Sequence, residues 1–479
     1  MSLLIYIISF FEWFTTLSIE IIAIRNFTPI IGSSSISTSI ILWVILLALS
    51  YWYFIWWKIS KKDDKNFIIK TIIRNLVIAS AYYMFFTFIL DELILNRLLE
   101  ATSSYFFSIL LASFLLFFIP IFLASQTIPL LSVLLKWNNT WEKIWKLLFY
   151  STIGSFLGSV ATSTLLFPSL WVEKTALFNS FILSWIVVIM SFKLEKKINV
   201  FSVLWFIIFL LSVIGITTKE LLAENILYKK ANAYHNIVIY DTKNNKRILS
   251  QNDWFSSWID ISTKESFFSY IKEIKSKVLK NNYENILVIW AAWFTLPYEL
   301  SKDTSIKNID VVDIDSSLKE ISEKYFLQDK LSEKINFYTQ ASRYFINSSI
   351  KNNKKYDAVI IDVYVWKSLA PQTLTYDFFR DVQSIWKDIY INIIMDTKLE
   401  SEFSDNLLYT LNEAFWQLYY KNVTTSQELY YKTNFIISNK DFPLYAKYMN
   451  NQKFDIYYDN KNSIENDLFK MNSWSYVLK

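Results

Sequence analysis

The sequence predicts an α-helical membrane bundle followed by an α/β domain with a parallel sheet, and three observations predict it. Apolar runs of about 20 residues, long enough to span a bilayer, recur through the first 217 positions. From about residue 225 short apolar runs alternate with amphipathic stretches, the pattern of βαβ units. The net charge of +5 sits wholly in the apolar half, where 15 Lys and Arg face 10 Asp and Glu, against 33 of each from residue 218 onward. That placement argues for orientation in a membrane and against nucleic acid as a partner.

The apolar runs fall at 3–24, 38–57, 72–90, 103–124, 147–168, 174–192 and 199–217, giving seven helices. The first lacks a basic leader and a small-residue cleavage site, so it is read as a span and not a signal peptide. The loops at 58–74, 125–146 and 193–198 hold twelve Lys and Arg, whereas 25–37, 91–102 and 169–174 hold three. The basic loops are therefore expected on the cytoplasmic side of an integral, multi-pass protein of the cell membrane. Seven crossings would leave the C-terminal half outside; a re-entrant or extra crossing at Gln126–Leu135 would reverse that.

In the second half, strands are expected at 236–240, 284–290, 308–315, 334–339, 356–362 and 388–396, with helices between them such as 317–326 and 375–385. Parallel strands covered on both faces follow from that order. Segments 417–423 and 433–439 are expected to pair antiparallel at one edge. The division expected is 1–217 membrane domain, 218–280 linker and small β-rich part, 281–445 α/β domain and 446–479 tail.

With 53% hydrophobic residues the chain is not disordered, and with no Cys and one His it lacks the ligands for zinc or iron–sulfur centres and the base for Ser–His or Cys–His chemistry. No metal site is expected, although an all-carboxylate one stays open. His235, alone, reads as structural. Four glycines are far fewer than the usual share of about 7%, and 19 tryptophans are many.

Chemistry concentrates where strands end. The first large strand runs into the loop 290–300, and the second ends in Val311–Asp315 some twenty residues later. In nucleotide-binding α/β folds the loop lies against the ligand and an acidic residue ending the second strand bonds a ribose hydroxyl. Asp313 is either that ribose ligand or, with Asp315, a cap of the next helix. Asp362, ending the strand 356–362, lies where ligands bind above a parallel sheet, or else is a solvated loop carboxylate.

At these residues the chain resembles the spermidine synthase-like polyamine aminopropyltransferases, in the form fused to an N-terminal multi-span membrane domain. Where that family reads approximately LVIGAGGFTLP, this chain reads LVIWAAWFTLP; DIDSSLKEISEKYF and YDAVIIDVYVWKSLAPQTLTYDFF follow, as do FEWFTTLSIEIIAIR and ILWVILLALSYWYFIWWKIS in the membrane half. The resemblance implies a Rossmann-like domain of the class I S-adenosylmethionine-dependent methyltransferase type. It implies transfer of an aminopropyl group from decarboxylated S-adenosylmethionine to a diamine such as putrescine, with no metal. Asp362 and Tyr364 match the catalytic positions; Trp290, Ala291, Ala292, Trp293, Thr295, Asp313, Ile314 and Arg343 match the donor-binding ones. In the membrane half Glu20 and Arg25 match the family's charged pair, with Glu12 near the same helical face.

The chain departs from the family in two ways. Trp stands at family-glycine positions 13, 43, 52, 56, 57, 290, 293 and 366, which suggests UGA codons for glycine translated as Trp. Family carboxylates are also missing: the first loop has no Asp, Val365 replaces a second Asp, Ala341 precedes the retained Arg343, and Phe255–Ser257 replaces a QSS segment. Those losses leave two further readings, another S-adenosylmethionine-dependent transferase such as a methyltransferase, and a non-catalytic membrane transporter or sensor binding polyamine or nucleoside. The partners expected are the lipid bilayer and a small-molecule polyamine, and a homo-oligomer is compatible with the pattern.

Overall fold

The computed structural model describes residues 2–474 except 32–34, 61–63, 90–93, 95–96, 99–100, 103, 125, 136–139, 196–202, 204–205, 208–209, 211–224, 233–235, 252–253, 363–369, 425–431 and 450–451. Tyr364, Trp366 and His235 lie outside these residues, as does most of the seventh apolar run. The chain forms two compact units, residues 1–224 with 230–236, and 225–229 with 237–479.

The first unit is helical. Its helices are α1 (Ser2–Ile31), α2 (Ser35–Ser60), α3 (Lys65–Ile89), α4 (Tyr105–Ser113), α5 (Ile119–Ala124), α6 (Thr127–Leu134), α7 (Thr140–Ala161) and α8 (Phe167–Met190). Among the described residues six stretches are long and apolar enough to cross a membrane, and 106–134 forms one of them. Helices α1 and α7 touch backbone to backbone. A Cβ added to Gly154 would lie 2.2 Å from the Phe10 carbonyl oxygen, and one on Gly158 the same distance from that of Phe14. Small residues allow such close approach of two helix backbones. Hydroxyl and amide pairs cross-link the rest: Ser80 with Ser180 and Ser184 at 2.8 Å, Asn179 Nδ2 to Ser18 Oγ at 2.6 Å and Asn75 Nδ2 to Gln126 Oε1 at 2.9 Å. Glu12 is fully buried, Glu20 and Arg25 partly so, and the Arg25 guanidinium lies 5.9 Å from the Phe167 ring centre.

The second unit opens with a four-stranded sheet in the order β1 (Ile226–Ala231), β2 (Asn236–Thr242), β3 (Lys246–Gln251), β4 (Trp254–Asp260). Sequence reasoning found only β2 of these. After α9 (Ser269–Lys280) come β5 (Asn285–Ile289), α10 (Thr295–Ser301), β6 (Asn308–Asp313), α11 (Leu318–Ile321), β7 (Ile335–Thr339), α12 (Ser342–Lys351), β8 (Tyr356–Ile361), α13 (Tyr376–Gln383), β9 (Trp386–Asp396) and α14 (Glu402–Phe415). β10 (Tyr419–Asn422), β11 (Lys432–Ser438), β12 (Ala446–Lys447) and α15 (Ile464–Trp474) complete it. The expected helix at 317–326 is split, with α11 giving way to a wider π turn at Ser322–Phe326.

The large sheet runs β12-β10-β11-β9-β8-β5-β6-β7. Strands β5 to β9 are mutually parallel, β11 runs antiparallel to β9, and β10 pairs antiparallel with β11 as the sequence implied. The central strands β5, β6 and β8 are apolar on both faces because helices cover both. In β5, Leu287 and Ile289 enter one buried cluster with Phe378, Phe403 and Leu407, while Ile286 and Val288 enter the other with Ile309 and Ile274. The chain leaves β5 toward β6 and β7 and returns to β8 on its other side. That reversal opens a crevice at the strand ends.

Candidate active site

Register places the site. Ile289 at the end of β5 pairs with Val312 on one side and Ile361 on the other, so Asp313 and Asp362 follow two flanking strands at the same edge. Two strand spacings of about 4.8 Å put them roughly 10 Å apart along the sheet. The Trp290 amide donates to the Val312 carbonyl at 2.8 Å and the Asp362 amide to that of Ile289 at 3.2 Å, tying the three ends together.

The β5 loop turns sharply. Trp290, Trp293 and Phe294 take φ of 74°, 57° and 61°, the left-handed region that bulky residues avoid. Ala292–Phe294 make one tight turn before α10. The Trp293 ring is buried in the second cluster, its Nε1 donating to Gln251 Oε1 at 3.4 Å, and its carbonyl accepts from Ser322 Oγ at 2.8 Å. Trp290 packs partly buried against the first cluster, and Ala291 is fully buried. Thr295 is also buried and shares a 2.8 Å hydrogen bond with Ser257 of β4.

Asp313 holds this loop in place. Its Oδ2 accepts from the Ala291 amide at 3.1 Å and its Oδ1 from the Asp315 amide at 3.0 Å. Asp315 does the capping, accepting from Ser317 N and Oγ at 2.9 and 2.6 Å. Burial raises the Asp313 carboxyl to about 6, against the pull of its backbone donors and with Asp315 adding repulsion. Ile314 beside it is 43% exposed, an apolar surface at the crevice.

Asp362 is buried at the end of β8, and burial raises it to about 6 although two donors oppose the shift. Asn392 Nδ2 of β9 donates to Oδ1 at 2.8 Å and Tyr270 Oη of α9 to Oδ2 at 3.0 Å. Sequence reasoning named neither. Asn392 has a readable signal, a lone amide in the apolar run of β9, while Tyr270 lies 92 positions from Asp362 in an ordinary amphipathic helix.

The Arg343 guanidinium is engaged by three other residues. It donates to the Gln372 carbonyl and Thr375 Oγ1, both at 2.7 Å, and to Asp459 at 2.8 and 2.5 Å. It ties α12 to the start of α13 and to the C-terminal segment. Ala341, where the resemblance expects an acid, precedes α12 with no side-chain cap.

The crevice thus offers two desolvated carboxylates, an apolar shoulder and a phenol. Residues 270–448 match the family described as spermine/spermidine synthase domain. The match begins at Tyr270 and takes in both carboxylates and the large sheet. A polyamine aminopropyltransferase of Vibrio vulnificus is 20% identical to the chain over 207 residues, 41% of this chain and 67% of that protein. Among solved structures, a probable spermidine synthase from Corynebacterium glutamicum is similar at 16% identity and TM-score 0.38, covering 44% of this chain and 78% of its own. Spermidine synthase from Thermotoga maritima is similar at 14% and 0.36, covering 53% and 88%.

Proposed function

We propose that the chain is a membrane-bound, spermidine synthase-like transferase that moves an aminopropyl group from decarboxylated S-adenosylmethionine to a diamine such as putrescine. The observation that carries this reading is the buried Asp362 carboxylate at the β8 terminus, across β5 from Asp313. The amine lone pair attacks the methylene beside the sulfonium, the carbon–sulfur bond breaks, and its electrons neutralise the sulfur as a thioether. The new nitrogen is cationic until it sheds a proton, and Asp362 accepts it. Tyr270, already bonded to Asp362, steers the same nitrogen. Asp313 has lone pairs left for a ribose hydroxyl, and Ile314 supplies apolar surface for the base. Tyr364, matched by the resemblance to a catalytic position, lies outside the described residues. Catalysis is mostly alignment of two cationic substrates, with a base for one proton.

The reading needs an open β5 loop, and we propose that glycine fills it in the natural protein through UGA codons read as glycine. Four tryptophans support this. Besides 290 and 293, Trp171 takes φ 71° and ψ 159°, a region essentially confined to glycine, and Trp416 ends α14 at φ 68°. Neither of the latter two belongs to the motifs of the resemblance. Peptide mass spectrometry of the protein from its source decides the matter: glycine at 290 and 293 sustains the proposal, and tryptophan ends it.

The functional test uses the full-length protein with the residues so found. Thioether nucleoside and the extended polyamine should appear together from decarboxylated donor and putrescine, and Asp362→Asn should lower the rate at least about a hundredfold. Tighter binding of ordinary S-adenosylmethionine than of the decarboxylated donor in a thermal-shift titration would sink the aminopropyl assignment in favour of a methyltransferase.

A further inference from the structure

We infer that Asn434 and Asn392 form a relay that favours the base form of Asp362 against its burial, making both positioning residues of the proposed reaction, on which this inference rests. Asn392 is 2% exposed and lies within an otherwise apolar stretch of β9. Its Nδ2 donates to Asp362 at 2.8 Å, and its Oδ1 accepts from Asn434 Nδ2 of β11 at 2.9 Å. The amide therefore has one side for each neighbour.

Direction is what matters here. An Asp362 protonated on Oδ1 would present an O–H to Asn392, which could answer it by turning its oxygen inward. That turn would set its NH2 against the NH2 of Asn434 and lose the bond between the two amides. Asn434 thereby penalises the amide orientation that suits the acid and favours the one that suits the carboxylate. Its influence arrives from a strand that does not border the crevice, since β9 lies between β11 and β8.

Other charges around Asp362 are otherwise engaged. Tyr270 of α9 is the titratable group bonded to it among the described residues. Glu273 of the same helix pairs with Lys277 at 3.4 Å and Lys421 at 3.1 Å, and Asp396, ending β9, accepts from the Glu400 amide at 2.6 Å and from Ser404 Oγ. Lys432 of β11 donates to Asn472 at 2.5 Å, and Asp313 stands two strands away. The amide pair and the Tyr270 hydroxyl are thus what oppose the desolvation of this carboxyl.

Three variants of the full chain test the relay. Asn392→Leu should move the acidic limb of kcat/KM upward by about one pH unit, a tenfold change in the ionisation constant, with little change in KM for the donor. Asn434→Asp puts an acceptor where a donor stood, turns the Asn392 amide and should move the limb as far or farther. Asn434→Gln, which restores a donor, should move it less than either. A limb unmoved in both Asn392→Leu and Asn434→Asp, in proteins that melt as the parent does, would overturn the inference. Carboxyl infrared titration, differenced against Asp362→Asn, reads the same ionisation without turnover and remains informative if a variant misfolds partly or no diamine is accepted. If that band shifts as stated while aminopropyl transfer is absent, the relay stands and the proposed reaction falls; if transfer is robust and the band does not move, the reverse holds.

Discussion

At the scale of single residues the crevice is governed by desolvation. Asp362 has its carboxyl raised from 3.8 to about 6, so its protonated form is the one folding favours. The associated stability is present below pH 3.8 and is lost as pH rises through 6. At pH 8 the buried charge costs at most about 3 kcal/mol. Asp362→Asn should therefore raise the melting midpoint at pH 8 and leave it nearly unchanged at pH 4, because the new amide can accept from Asn392 and donate to a rotated Tyr270 hydroxyl. Equal effects at both pH values would show that the ionisation is not what the substitution removes. The same titration predicts that turnover falls as pH drops through about 6, since a protonated carboxyl accepts no proton. Arg343 makes an opposite case. The resemblance places it at the donor, whereas its bonds run to Gln372, Thr375 and Asp459. Arg343→Ala should cost roughly 1–2 kcal/mol of stability and leave KM for the donor within about twofold. A KM raised tenfold without loss of stability would assign Arg343 to the binding site.

At the scale of elements, backbone conformation carries the predictions. Trp416 is 79% exposed and holds φ 68° where α14 ends, a place that favours glycine. Trp416→Gly in a Trp-containing protein should raise stability by roughly 1 kcal/mol, measured by thermal melting, because no packing is lost and the left-handed penalty is removed. The contact of α1 with α7 is the reverse case: Gly158→Val would drive a side chain into the Phe14 carbonyl and should lower yield and melting temperature of the full chain in detergent. A silent substitution there would mean the helices do not pack this closely. The strands of the parallel sheet were legible because each is a short continuous apolar run between amphipathic helices. β1, β3 and β4 were not, since half-exposed strands with mixed residues carry a weak periodic signal. The Ser322–Phe326 π turn was hidden for a related reason: one extra residue in a helical turn leaves the hydrophobic pattern almost intact.

At the scale of the molecule, six apolar helical stretches among the described residues accompany a domain whose proposed donor is a soluble nucleoside. That combination predicts a chain that stays with the membrane after alkaline carbonate washing. It also predicts that a reporter fused at Lys479 is active on the cytoplasmic face. A reporter active only outside would separate the α/β domain from its proposed donor and favour the transporter or sensor reading. The sequence by itself determined the two-part architecture, the parallel sheet and the strand ends at Asp313 and Asp362, because hydrophobic periodicity is local and survives without neighbours. Only the tertiary structure decided what surrounds those carboxylates. Tyr270, Asn392 and Asn434 stand 92, 30 and 72 positions from Asp362 and reach it, directly or through one amide, by strand order and helix packing. Long-range register of that kind leaves no trace in the spacing of residues along one chain.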